Sequence, residues 1–136
     1  VKTNVRVIAR TRPTDAFSPS VRVLDDNKTF HVHTDKRSST DVVNNTNEDH
    51  TFKLDGILKD ASQEMVYEVA AADLVKSTMT GYNGTLMCYG QTGAGKTFTL
   101  MGGADYRTRG CVPRCVKAIF EEAQMQADKM FEISVS

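Results

Sequence analysis

Eight consecutive residues carry the clearest chemistry in this 136-residue chain: Gly90-Gln91-Thr92-Gly93-Ala94-Gly95-Lys96-Thr97. They fit the pattern GxxxxGK[ST] in full, with an apolar run before them and helix-forming residues after them. Each residue type has a reason. Triphosphate oxygens need many donors at close range, and glycines let successive backbone N–H groups turn inward with no Cβ in the way. A helix starting near Gly95 would offer its unpaired first-turn N–H groups and positive dipole end to the same oxygens, worth on the order of 1 kcal/mol in favourable geometry. Lys96 supplies a point charge between the β and γ phosphates, and the Thr97 hydroxyl is placed to ligate a bridging Mg²⁺. The pattern therefore implies a loop for a Mg²⁺ nucleotide, with Thr97 as metal ligand.

Such a loop has to be held between a strand and a helix. Thr85-Leu86-Met87-Cys88-Tyr89, bounded by Asn83-Gly84 and Gly90, is mostly apolar and is expected to be a strand buried on both faces of a parallel sheet. Upstream, Asp60 and Gln63 resemble a capping box, and Met65, Val69, Ala72, Val75 and Met79 recur at three- or four-residue intervals, which predicts a helix over 61–79. Downstream, the helix from Gly95 should break at Gly102-Gly103, leave a loop over 102–110, and resume behind Pro113. Its inner row would be Val116, Ile119, Phe120, Ala123 and Ala127.

The N-terminal third has a different texture. Val5 to Arg10 is a short β-branched run halted by Pro13, as expected of a strand. Val21 to Leu24 and Phe30 to His33 alternate apolar with polar residues around Asp25-Asp26-Asn27-Lys28, which predicts a hairpin. His31 and His33 would share its outer face. No third metal ligand lies close to them in the sequence, so they are read as solvated residues. Residues 34–50 are polar and predict an exposed loop. At the other end, Phe131 to Ser136 alternates with period two, which predicts a further strand.

Bulk properties narrow the function classes. Lys plus Arg and Asp plus Glu both number 17, so the zero formal charge argues against nucleic acid or an anionic membrane as partner. Neither a transmembrane run nor a secretory signal is present, which predicts an intracellular setting. The length predicts one core. Cys88, Cys111 and Cys115 are odd in number without CxxC spacing and are expected to be reduced packing residues. An apolar strand closed by Asp, the usual second Mg²⁺ ligand of phosphate-loop NTPases, is not found in residues 98–136, so the chain is expected to be an incomplete domain.

The residues flanking the loop add a family. From Gly81-Tyr82-Asn83-Gly84-Thr85 through Met87-Cys88-Tyr89-Gly90 to Phe98-Thr99-Leu100-Met101-Gly102, the chain closely resembles the signature of kinesin motor domains. Val5 to Pro13, Phe52 to Leu58, Gln63 to Glu68 and Gly110 to Arg114 resemble further kinesin stretches in the same order. Val42-Val43-Asn44-Asn45, Asp60-Ala61-Ser62-Gln63 and Met87-Cys88-Tyr89 are most similar to the kinesin-nine branch. Leu54, Leu58 and Cys88 depart from the family's commoner residues.

The resemblance implies an α/β fold of the phosphate-loop NTPase kinesin type, with residues 1–136 as the N-terminal part of the motor domain. It implies that Arg10, Arg12 and Pro13 line the adenine side and that Phe98 packs on the base. It also implies a microtubule-stimulated ATPase, in the cytoplasm and cytoskeleton and, for this branch, the cilium or flagellum axoneme. The family's switch segments and most of its tubulin-binding surface lie C-terminal to these residues, so no catalytic residue is assigned and residues 1–136 alone are expected to be inactive. A non-motile structural component of a ciliary microtubule array that binds nucleotide is the alternative. Direction, cargo and oligomeric state lie outside the sequence.

Overall fold

The computed structural model describes residues 5–14, 17–34, 48–126 and 128–134. Two compact units emerge, Val1–Asp60 and Ala61–Ser136, in place of the single core expected from length.

In the first unit, β1 (Ile8–Arg10) pairs in parallel with β5 (Gly56–Leu58), with Ile8 opposite Gly56 and Arg10 opposite Leu58. The ladder extends through Asp55 N–H to Val7 O at 2.9 Å and Thr11 N–H to Leu58 O at 3.0 Å. Between these strands in sequence lies an antiparallel sheet of β2 (Val21–Val23), β3 (Thr29–His33) and β4 (Asp49–Lys53), in the order β2-β3-β4.

The expected hairpin forms with Val21 opposite Val32 and Val23 opposite Phe30. Its turn is fixed by Asp26, whose carboxylate accepts from Lys28 N–H at 2.9 Å, Thr29 N–H at 2.9 Å and the Thr29 hydroxyl at 2.7 Å. Those bonds, the Thr29 hydroxyl foremost, hold the Asp26 carboxyl below the usual aspartate range.

Strand β4 corrects the loop expected over 34–50 at its C-terminal end; residues 35–47 lie outside the described residues. All five β4 side chains are exposed, so no apolar alternation marks the strand, which exists through its ladder to β3. His31 and His33 do share a face. Asp49 joins them, with one carboxylate oxygen 2.9 Å from His33 Nδ1 and 3.6 Å from His31 Nε2.

The second unit is helical. The helix expected over 61–79 is two helices, α1 (Gln63–Ala70) and α2 (Ala72–Met79), separated at Ala71. Its N-cap is Ser62 and not Asp60: the Ser62 hydroxyl accepts from Met65 N–H at 3.1 Å, whereas Asp60 has a positive φ of 51°. The last turn of α2 closes in a Schellman motif, with Tyr82 N–H on Ser77 O and Gly81 N–H on Thr78 O, both at 3.0 Å. Ala61, Val66, Ala71, Ala72, Val75 and Cys111 form the buried apolar centre.

Helices α3 (Lys96–Leu100) and α4 (Cys111–Met125) follow, joined by a loop that contains a short 3₁₀ turn at Tyr106–Thr108. The break after α3 is as expected. The inner row predicted for α4 is only partly inside: Val116 and Phe120 are about half exposed, while Ile119 and Ala123 are half-buried. Ala127 lies outside the described residues. Only Cys111 of this helix is fully buried.

The strand expected over 85–89 does not form, and neither does the described part, 131–134, of the one expected over 131–136; residues 135–136 lie outside the described residues. Among the described residues neither stretch is assigned to a strand, and Met87 and Tyr89 are 82% and 97% exposed. An apolar run becomes a strand only when a neighbour completes its hydrogen-bond ladder.

The connecting loop is folded tightly against the end of α3. A Cβ at Gly110 would collide with the carbonyls of Leu100 and Thr99, which are backbone and cannot swing aside. Gly102 and Arg109 form a bridge, with Gly103 N–H on Thr108 O at 3.0 Å and Gly110 N–H on Met101 O at 3.0 Å. From α4, Arg114 donates to the Arg109 carbonyl at 3.0 Å and to the Tyr106 and Arg107 carbonyls at 3.4 Å.

Three outcomes follow in the intact protein. Val66→Ala, at a site 3% exposed, should lower unfolding free energy by about 2 kcal/mol in urea titration. Gly110→Ala should cost about 2 kcal/mol by the same measurement, because it overpacks backbone against backbone. An NMR titration should place the Asp26 midpoint below that of an unstructured aspartate, and Thr29→Val should raise it. Because the folded value is depressed, this carboxylate's stabilising contribution is present above the unfolded value and is lost as pH falls through the folded one.

Candidate phosphate-binding site

The segment 82–89, without regular structure and exposed except for half-buried Cys88, leads to Gly90. From there the backbone hooks back on itself. Ala94 N–H bonds to Gln91 O at 3.2 Å, closing a turn, and Gly93 and Gly95 take φ values of 83° and 94°. Gly95 is the N-cap of α3 in the left-handed region, where a Cβ would be strained, so glycine is required for the turn into the helix.

Helix α3 then starts as expected. Its hydrogen bonds run from Thr99 N–H to Gly95 O at 2.9 Å and from Met101 N–H to Thr97 O at 2.8 Å. The Thr99 hydroxyl adds a second donor to Gly95 O at 3.0 Å, which locks the first turn onto the loop.

Lys96, half-buried, arches over the hook: its ammonium donates to Gly90 O at 2.8 Å and to Gln91 O at 2.9 Å. The charge is thereby held over the start of the loop. Thr97 stands beside it with an exposed side chain. Gly90, Gln91, Thr92, Gly93, Ala94, Gly95, Lys96 and Thr97 thus form one continuous hook. Backbone N–H groups, one ammonium and one hydroxyl suit a polyphosphate and the hard cation that accompanies it.

Among the described residues no cluster of three His, Cys, Asp or Glu could hold a metal ion by itself. The Thr97 hydroxyl nevertheless fits Mg²⁺, which keeps several waters and takes most of its other oxygens from phosphate.

The residues expected on the adenine side fall in different places. Phe98, 47% exposed, is part of α3 directly after the loop. Arg10 closes β1 half-buried, and Arg12 and Pro13 follow it exposed; these three belong to the first unit.

Two contributors were not legible as such. Gln63, 4% exposed, donates from Nε2 to Phe98 O at 2.6 Å and to Thr108 O at 3.1 Å. Its place three residues after Asp60 suggested a cap, and only a polar residue inside an apolar row could have hinted otherwise. Arg114, which clamps the loop behind α3, gave no signal beyond its charge.

Comparison with known proteins gives the family. The kinesin motor domain family model matches residues 10–136. Kinesin-like protein KLP1 of Chlamydomonas reinhardtii is 44% identical over all of this chain, and human kinesin-like protein KIF9 is 44% identical over 97% of it. The chain spans 18% and 17% of the lengths of those relatives. A solved structure of a fast kinesin superposes with a TM-score of 0.74 at 29% identity, covering 90% of this chain and 34% of that one. The architecture is accordingly the α/β phosphate-loop fold of kinesin motors in incomplete form. In hook, flanking residues and fold alike, the chain belongs to the kinesin motor domain family and, within it, is most like the kinesin-nine branch.

Proposed function

We propose that residues 1–136 are the N-terminal, ATP-binding part of a microtubule-based motor ATPase. The observation that carries this reading is the hook from Gly90 to Thr97, in which the Lys96 ammonium is held over the loop and α3 starts directly behind it. In the bound complex the loop amides and Lys96 hold the β and γ phosphates, and the Thr97 hydroxyl ligates the cation. The cation, held by the Thr97 hydroxyl, would supply positive charge against the phosphates. Phe98, directly behind the loop, would pack on the purine.

Hydrolysis requires a group that positions the attacking water, and none is assigned in these residues. They bind and orient; the remaining part of the motor domain supplies the switch segments and most of the tubulin-contacting surface. The fast kinesin whose fold this chain shares is described in terms of an ATPase mechanism and interactions with microtubules, which supports ATP and microtubules as cofactor and partner. The similarity to the kinesin-nine branch supports the cytoskeleton, and within it the cilium or flagellum axoneme, as the place of action.

A second reading is a non-motile, kinesin-like component of a ciliary microtubule array that binds nucleotide. The presence of both Lys96 and Thr97 leans toward the motor, since a dead site need not keep them.

In the full-length protein, Lys96→Ala should weaken Mg·ATP binding at least about tenfold by calorimetry, the loss of one charge-assisted contact to phosphate. Unchanged affinity would overturn the assignment. Gliding of microtubules over the full-length protein should separate the two readings, because a docking component binds tubulin without moving it.

A further inference from the structure

Helix α3 is only five residues long, too short to hold itself in place by its own hydrogen bonds. Two residues at its start, Lys96 and Thr97, are those whose placement the proposed site depends on. What fixes the helix from outside is therefore the question.

The side chain of Gln63 reaches α3 from α1, across 35 residues of sequence. Its Nε2 lies 2.6 Å from Phe98 O, one residue beyond Thr97, and 3.1 Å from Thr108 O in the 3₁₀ turn. Both partners are carbonyl oxygens, which only accept, so the atom facing them must be the NH₂ group and not the amide oxygen. One side chain thus draws the end of α3 and the loop behind it onto the same point.

The anchor is firm. Gln63 itself is 4% exposed, α1 is capped by Ser62, and Val66 one turn on is 3% exposed. Few other side chains could do the same. A carboxylate would present oxygen to oxygen, an aliphatic chain would remove the donor shared by the two carbonyls, and asparagine is one methylene too short to reach both.

We propose that Gln63 is a positioning residue for the phosphate loop, setting the placement of Lys96 and Thr97 through the carbonyl of Phe98. This rests on the nucleotide-binding reading above. A purely packing role would affect stability alone; a positioning role must also affect how tightly, and with what cation dependence, nucleotide is held.

The test compares Gln63→Met with the unaltered full-length protein. Met keeps the length of the side chain and removes the donors. The probe is Mg·ATP, with binding read by calorimetry, KM and kcat read separately, and folding checked by circular dichroism.

For folded Gln63→Met, affinity for Mg·ATP should fall and KM should rise by roughly tenfold, more than kcat falls, and half-saturation by Mg²⁺ should move to higher concentration. A variant that melts at lower temperature yet keeps its affinity, KM and Mg²⁺ dependence would overturn the proposal. If Gln63→Met does not fold, Gln63→Asn takes its place, with a shift of about threefold expected from the retained single contact and an unchanged KM counting against it. Lys96→Ala in the same protein distinguishes the two claims. If it binds Mg·ATP normally, the nucleotide reading fails and the positioning claim falls with it. If it does not, while folded Gln63→Met binds normally, only the positioning claim fails.

Discussion

A reversal that enters a helix at once strains an ordinary L-residue backbone, and this constraint governs the hook from Gly90 to Thr97. The chain must reverse between Gly90 and Gly95 and enter a helix at once, with left-handed φ values of 83° at Gly93 and 94° at Gly95. Once that reversal is made, the Lys96 ammonium falls within reach of the Gly90 and Gln91 carbonyls and the Thr97 hydroxyl is presented beside it. The loop, the Lys96 charge and the Thr97 hydroxyl are placed by a single backbone path.

That path is local, but its support is not. α3 is held at its far end by Gln63 from α1 and by the loop over 102–110, which the missing side chain of Gly110 allows to lie against Leu100. Arg114 then ties that loop to α4 through three backbone carbonyls. Tyr106 stands among Arg109, Arg114 and Lys117, each 5.4 to 5.9 Å from its ring, and its hydroxyl is 3.1 Å from Lys117 Nζ. Polar contacts to backbone, more than buried apolar area, connect the phosphate loop to the helices.

This division explains what could be read from the sequence. The loop was legible residue by residue because its geometry depends on near neighbours. The hairpin was legible because Val21, Val23, Phe30 and Val32 alternate and Asp26 is a turn former. Strand β4 was not, because Asp49, His50, Thr51, Phe52 and Lys53 are all exposed and pair through backbone alone. The run Thr85 to Tyr89 has a strand's composition, yet composition does not supply the partner a ladder needs. The Ser62 cap was missed in favour of Asp60, whose positive φ takes it out of a cap's extended conformation. Gln63 was misread because its partners at Phe98 and Thr108 are 35 and 45 residues away, beyond any local pattern.

The central claim, that the Gly90–Thr97 backbone is a polyphosphate cradle, is tested most directly by a crystal structure of the complete motor domain with a Mg²⁺ complex of a non-hydrolysable ATP analogue. The account predicts β- and γ-phosphate oxygens within hydrogen-bond distance of the amides from Gly93 to Thr97 and of Lys96 Nζ, with the Thr97 hydroxyl on the cation. A nucleotide seated elsewhere, with those amides turned away from every phosphate, would contradict it.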